Sequence, residues 1–298
     1  MKKALFIFVF VLTSFNFCLS QEWFTSFDVA KRLAIVQNKM LFVMWEDAMN
    51  YQYPVLTDND NGDSTVADLF EDEYVNKLIW DYFVPVKISE SKYVELSNQI
   101  KETRGTKYFN KLTDDSIKIM DINGNILNID IYYEPIENLS LLIKRYALNT
   151  SYLKQELVNY SKNKNFPTSF WLASKYLDFA IFAEQDLRFE IIQLANIYFN
   201  EAKNHLLKSN LNNKKAILQK CDLLKIKEYL ILDKARKAFR YLKKLNITEI
   251  DKINESLFSF LNYTAFKLLK DEDNAALWKN KISLVDLKKA NTIINNNF

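Results

Sequence analysis

Sulfur, glycine, proline and histidine are all scarce in this 298-residue chain, and each scarcity closes off some chemistry. There are two cysteines, Cys18 and Cys221. Cys18 belongs to a leader-like opening segment, so the rest of the chain carries one thiol and no internal disulfide, however oxidising its compartment. The three glycines, Gly62, Gly105 and Gly124, stand far apart. That spacing rules out a glycine-rich phosphate loop, and with it nucleotide binding of the P-loop or Rossmann kind. A lone histidine, His205, would have to serve any imidazole metal site or triad by itself. Lys203 and Lys208 disfavour a cation beside it, so a structural or surface role is expected. Beyond the first residues no run approaches about 18 apolar positions, and no membrane span is expected there.

The one long apolar run stands at the start. Lys2 and Lys3 precede Ala4 to Leu12, a shorter polar stretch follows, and Ser20 comes just before Gln21. This is the pattern of a cleavable secretory signal over residues 1–20, and it implies a periplasmic or secreted protein. Cys18 invites comparison with a lipidation cysteine. Phe15-Asn16-Phe17 ahead of it is bulkier than lipoprotein signals tolerate, which favours simple cleavage over anchoring.

Charge is unevenly divided. Residues 21–150 hold 13 basic and 21 acidic side chains, residues 151–298 hold 25 and 16, and the two halves are therefore −8 and +9. Such a division suits docking of one half on the other, or an anionic partner for the rear half.

Periodicity divides the chain at the same place. Phe27, Ala30, Leu33, Ala34 and Val36 predict a helix within 23–38, and the apolar run Met40 to Trp45 predicts a strand buried on both faces. Asp58 to Ser64 reads as a polar loop, Val66 to Trp80 as a second helix, and Phe83 to Ile88 as a strand entered through Pro85. Segments 116–121 and 126–131 flank Asn123-Gly124, which predicts a hairpin with a type I′ turn. Pro135 then opens a closing helix through Tyr146. After Thr150 no strand-like run appears; helices are expected at 152–163, 168–183, 186–208, 214–245 with a break, 250–270 and 274–294. The expected fold class is an α/β domain at 21–149 followed by an all-α domain at 150–298, with helical-hairpin repeats open as its form.

Trp23, Asp28 to Ala34, Asn38 to Val43, Tyr82 to Ile88 and Ile119 to Ile126 together resemble the thioredoxin-like superfamily over about residues 23–148. The resemblance implies a Cys-x-x-Cys motif just after the first strand. Counted on from Lys39, that tetrad falls on Asn50-Tyr51-Gln52-Tyr53, and no cysteine occurs between residues 21 and 220. Dithiol exchange needs an attacking thiolate and a resolving sulfur, and these side chains offer neither. The resemblance also implies a cis-proline before the hairpin, where no proline stands, so a trans peptide and a remodelled groove are expected.

Other constellations carry less. Asp58 to Asp63 is dense in calcium-ligating side chains, but its register fits an EF-hand poorly and a solvated turn is expected. Glu46-Asp47 suits a helix start better than paired acid-base chemistry. Cys221 is expected to be a half-buried inert thiol. In the basic stretch Lys225 to Lys244, Tyr229, Phe239 and Tyr241 are expected in the core rather than on a polyanion-binding face.

The sequence therefore points to an exported, non-catalytic thioredoxin-like protein that binds another protein or peptide, or helps assemble an envelope structure. Its contacts would lie at Trp45, Asn50, Tyr51, Gln52 and Tyr53, with no cofactor, metal or nucleic acid. The alternative is a divergent oxidoreductase, or another enzyme, using Cys221 or a relocated site.

Overall fold

The computed structural model describes residues 22–59, 61–129 and 136–297; the leader read in residues 1–20, Cys18 and Asp60 lie outside them. Helix α1 (Phe27–Gln37) starts later than the periodicity suggests, because the Ser26 side chain accepts from Val29 N and caps it there. Asn38, with φ 56°, ends it in the left-handed conformation. Phe27, Ala30 and Ala34 are buried, whereas Val36 is exposed.

Strand β1 (Met40–Trp45) is central, as its unbroken apolar run requires. It pairs in parallel with β4 (Phe83–Ile88) on one side and antiparallel with β5 (Lys118–Met120) on the other. Phe24 extends this sheet outward through a parallel bridge to Val86, and Ile126 extends it past β5 through an antiparallel bridge to Met120. Phe24 N donates to Pro85 O and Lys87 N to Phe24 O, so Pro85's missing N–H lies on the outer side of β4 and costs no bond to β1.

A second small sheet was not foreseen. Strands β2 (Pro54–Asp58) and β3 (Ser64–Asp68) form a hairpin, and β6 (Glu137–Asn138) joins β2 in parallel. Val66 therefore lies on an exposed strand, and helix α2 (Glu73–Tyr82) begins only after the Asp72 cap. The polar loop is the hairpin's turn. Asn59 N donates to Asp63 O, Gly62 N donates to Asn59 O, and Gly62 has φ 84°.

The Asn123-Gly124 turn repeats that geometry: Asp121 N donates to Asn125 O, Gly124 N to Asp121 O, and Gly124 again has φ 84°. Asn123 does not adopt positive φ, so the turn is not the expected type I′. It is a three-residue loop, a type I turn closed by a glycine bulge. Helices α3 (Glu90–Ile100) and α4 (Thr106–Thr113) connect β4 to β5, and α5 (Leu139–Tyr146) follows β6.

From residue 150 onward, only helices and turns follow among the described residues. After α6 (Lys154–Lys162) come three antiparallel pairs: α7 (Phe166–Phe182) with α8 (Arg188–Leu207), α9 (Lys214–Ile231) with α10 (Ala235–Leu242), and α11 (Glu255–Leu268) with α12 (Glu272–Lys279). The break after Ile231 passes through Asp233 at φ 55°. The helix expected over 274–294 is two, because Ser283 caps a separate α13 (Leu284–Asn295). Helix α13 turns back onto α7, where Asn296 donates to Ile181 O at 2.8 Å, so the pairs close into a bundle rather than an open array. Asp178 on α7 receives Lys227 from α9 and Lys289 from α13, tying three helices at one carboxylate.

One connected cluster of buried apolar side chains runs through both halves. Across their junction Asp121, fully buried in the hairpin turn, accepts Tyr176 Oη at 3.1 Å and a short bond from Tyr198 Oη. Arg104 donates to Glu201 at 3.0 Å, and Tyr146 Oη to Glu190 at 2.9 Å.

Candidate functional site

The carboxyl end of a central parallel strand is where side chains from several loops converge, and here that end is Trp45. A 3₁₀ turn, Glu46–Asn50, follows it, with its two acids in the first turn as the sequence suggested. Asn50, Tyr51 and Gln52 are then carried out into solvent, Tyr51 at 77% exposure. Trp45 is half-buried and packs its ring 4.0 Å from that of Tyr93 on α3. Tyr53 turns inward. The expected five residues are thus divided: three form an exposed polar and aromatic rim, while Trp45 and Tyr53 wall the ground beneath it.

Tyr53 is held at both ends. Its backbone N–H donates to Asp68 Oδ2 at 2.9 Å, and its hydroxyl donates to Glu137 Oε2 at 3.4 Å. Its ring contacts Phe70, the first step of an edge-to-face series that continues through Trp23 to Phe42 on β1. Burial, reinforced by the Glu137 carboxylate, pushes the Tyr53 phenol well above its ordinary range, so it stays a neutral donor.

Beside it lies a charged cluster that the sequence reading missed. Lys118 on β5 and Lys111 on α4 are both buried. Lys111 Nζ donates to Ser116 Oγ at 2.6 Å, and Lys118 pairs with Asp114 at 3.2 Å while also bonding the Asp114 carbonyl. Burial brings the Lys118 amine down to about 8 against the pull of Asp114, and lowers Lys111 as well. Glu137 is shifted the opposite way: burial raises its carboxyl, with Lys111 and Tyr53 opposing. Weakly basic amines thus lie in the field of a weakly acidic carboxyl. The cluster's contacts fasten the 114–117 loop, Lys111 holding Ser116 and Lys118 holding the partly exposed Asp114. Lys118 stands between Ile117 and Ile119 in a strand buried on both faces, and that lone charge was the available sequence signal. Lys111, on an ordinary amphipathic helix, gave none.

Cys221 lies in the other half, on α9, half-buried, with burial first and then Asp222 pushing its thiol up to about 11. His205 is exposed on the last turn of α8. In the β2–β3 turn Asp58 is occupied by Ser64 and Asn138, and Asn59 by the amides of Asn61 and Asp63. Among the described residues no group of three or more His, Cys, Asp or Glu is arranged to hold a metal. No helix among them is long and apolar enough to cross a membrane. Comparison with protein-family models, curated proteins and solved structures finds no match to this chain.

Proposed function

We propose that the strand-bearing half is a thioredoxin-like domain that has exchanged electron chemistry for recognition, and that the protein is exported and binds another protein through the rim at Asn50, Tyr51 and Gln52. The reading is supported by a parallel pair whose connection ends in helix α2, after the β2–β3 hairpin, and by an antiparallel hairpin beyond the central strand. The observation that carries the functional reading is what fills the redox position. Shortly after the end of β1 stand an exposed aromatic flanked by two amides, followed by Tyr53, which turns inward to Glu137, with no cysteine in the segment. Exposed tyrosine beside amide side chains is a composition suited to protein contacts. The oxidoreductase alternative rests on Cys221, whose thiol, near 11, is overwhelmingly protonated at neutral pH and is remote in the chain from this rim.

The test has two arms. Insulin reduction in dithiothreitol should proceed no faster with the protein than without it; turnover that disappears in Cys221→Ala would establish the oxidoreductase instead. A photo-crosslinking residue placed at Tyr51 in producing cells should trap a defined partner. The same residue at Tyr82, exposed at the opposite end of the sheet, should not. Equal trapping at both positions would remove the rim as the binding surface.

A further inference from the structure

The aromatics of the basic stretch are expected in the core; Tyr229 is half-buried and packs against it, but Tyr241 does not follow. Tyr241 is 44% exposed, and its ring stacks on that of Tyr229 at 5.5 Å and 21°. The two close one end of a cleft of about 600 Å³ between α9 and the end of α10, within the size range of small-molecule sites. Its floor is apolar, formed by Leu218, Ile226 and Leu245. Its rim carries Lys215, Lys225 and Lys244 against one carboxylate, Asp222. Lys225 is committed to Glu228 at 2.6 Å, whereas Lys215 and Lys244 meet no carboxylate among the described residues. Lys237 Nζ, 4.2 Å from the centre of the Tyr229 ring, adds positive potential at the tyrosine end.

We infer that this cleft binds an elongated anionic amphiphile, with its apolar body along α9 and its carboxylate between Lys215 and Lys244. From Lys215 to Tyr229 the helix rises about 21 Å, room for an extended alkyl chain. An apolar floor alone would take any hydrophobe; two amines without a carboxylate partner above it, Lys244 lying 5.6 Å from the centre of the Tyr241 ring, select the anion. This site is separate from the rim of the proposed function, and neither reading depends on the other.

The test is isothermal titration of the full chain with dodecanoate below its micelle-forming concentration, beside dodecyltrimethylammonium, which keeps the tail and inverts the charge. Dodecanoate should bind one to one and at least tenfold more tightly. Lys215→Gln and Lys244→Gln, both at exposed positions, should each weaken it about two- to fivefold, the range of a solvent-facing ion pair. Tyr241→Ala should also weaken it, with circular dichroism confirming that each variant is folded. Equal affinity for both surfactants, undiminished binding in the double lysine variant, or no binding at all would overturn the site. Phosphatidylglycerol vesicles form the remaining arm, and binding to them without binding to dodecanoate would overturn a free carboxylate as the ligand.

Discussion

Asp121 joins the two halves through a buried carboxyl. Its carboxylate accepts Asn123 N at 2.9 Å and Asn125 N at 3.0 Å within its own turn, then the hydroxyls of Tyr176 and Tyr198 from α7 and α8. Truncation to alanine leaves two buried phenols and two turn amides without this acceptor. At about 1–3 kcal/mol for each buried group left unsatisfied, and allowing for partial relaxation, Asp121→Ala should cost about 4 kcal/mol. That is a large share of the stability of an ordinary domain. Asp121→Asn keeps one acceptor oxygen for the turn and relieves a buried charge, so about 1–2 kcal/mol is expected. Urea unfolding measures both, and the alanine variant should also separate the transition into two steps as the halves uncouple. A double-mutant cycle gives the sharper answer: Tyr176→Phe, which removes a hydroxyl bonded to Asp121, should be costly in the wild type and nearly silent beside Asp121→Ala. The sign of the pH dependence is fixed as well. Burial raises the Asp121 carboxyl, so its contribution is fullest below the ordinary value near 4 and declines as pH climbs through the folded value. The gap between wild type and Asp121→Asn should narrow as pH rises above about 4. A cost below about 1 kcal/mol for the alanine variant, or an undiminished tyrosine effect beside it, would refute the latch.

Lys118, near 8 in the fold, is charged there at a cost that fades as pH rises toward its unfolded value. Wild-type stability should therefore gain up to about 3 kcal/mol between pH 8 and 10 relative to Lys118→Met, read from urea midpoints. Asp178→Ala strands the buried Lys227 amine and should cost about 3–5 kcal/mol in the same assay. Burial opposes ionisation of Asp178, but Lys227 and Lys289 outweigh it and hold its carboxyl below the usual value. That stability is present above about pH 4 and should disappear as pH falls through the folded value, a loss that Asp178→Asn will not show. Gly124→Ala and Gly62→Ala both force a side chain into the left-handed region, worth about 1–2 kcal/mol. Only at Gly124 does the new Cβ also meet the Phe27 ring, at 3.3 Å, so thermal melts should rank that variant clearly lower.

What the sequence disclosed, it disclosed through patterns that one interaction dominates. Met40 to Trp45 read correctly as a central strand because six apolar residues have nowhere else to go. The helical half was legible in outline because its apolar spacing is long and repeated. The β2–β3 hairpin was not read, although Asn61-Gly62 between β-branched residues such as Val55, Thr57, Thr65 and Val66 is the same signal that identified the Asn123-Gly124 turn. There the density of acids drew attention to metal ligation and away from backbone geometry. The 274–294 helix was read through its own break because Ser283 and Asp286, which cap α13, look like ordinary surface residues until the backbone turns between them. At the candidate site the positions of Trp45 and Asn50 to Tyr53 followed from counting along one segment. Glu137 and Lys111, which come from elsewhere in the chain, required the tertiary fold to bring them to Tyr53.

The charge division illustrates why a sum over residues does not predict a contact. Halves of −8 and +9 suggest an acidic surface pressed on a basic one. The ion pairs that cross the junction run the other way: Arg104 and Arg145 of the acidic half reach Glu201 and Glu190 of the basic half, the latter fully buried. Pairs so enclosed are little affected by salt, whose screening acts on charges facing solvent. Docking engages two of the acidic half's scarce cations with three of the basic half's carboxylates, Asp186 being the third, so it leaves each half's outer surface more one-signed than its sequence total. The lysines of α9 and α10 belong to that unspent charge. Their field is directed outward, over a cleft that pairs an apolar floor with two amines lacking a carboxylate partner among the described residues, and there an anion gains from it.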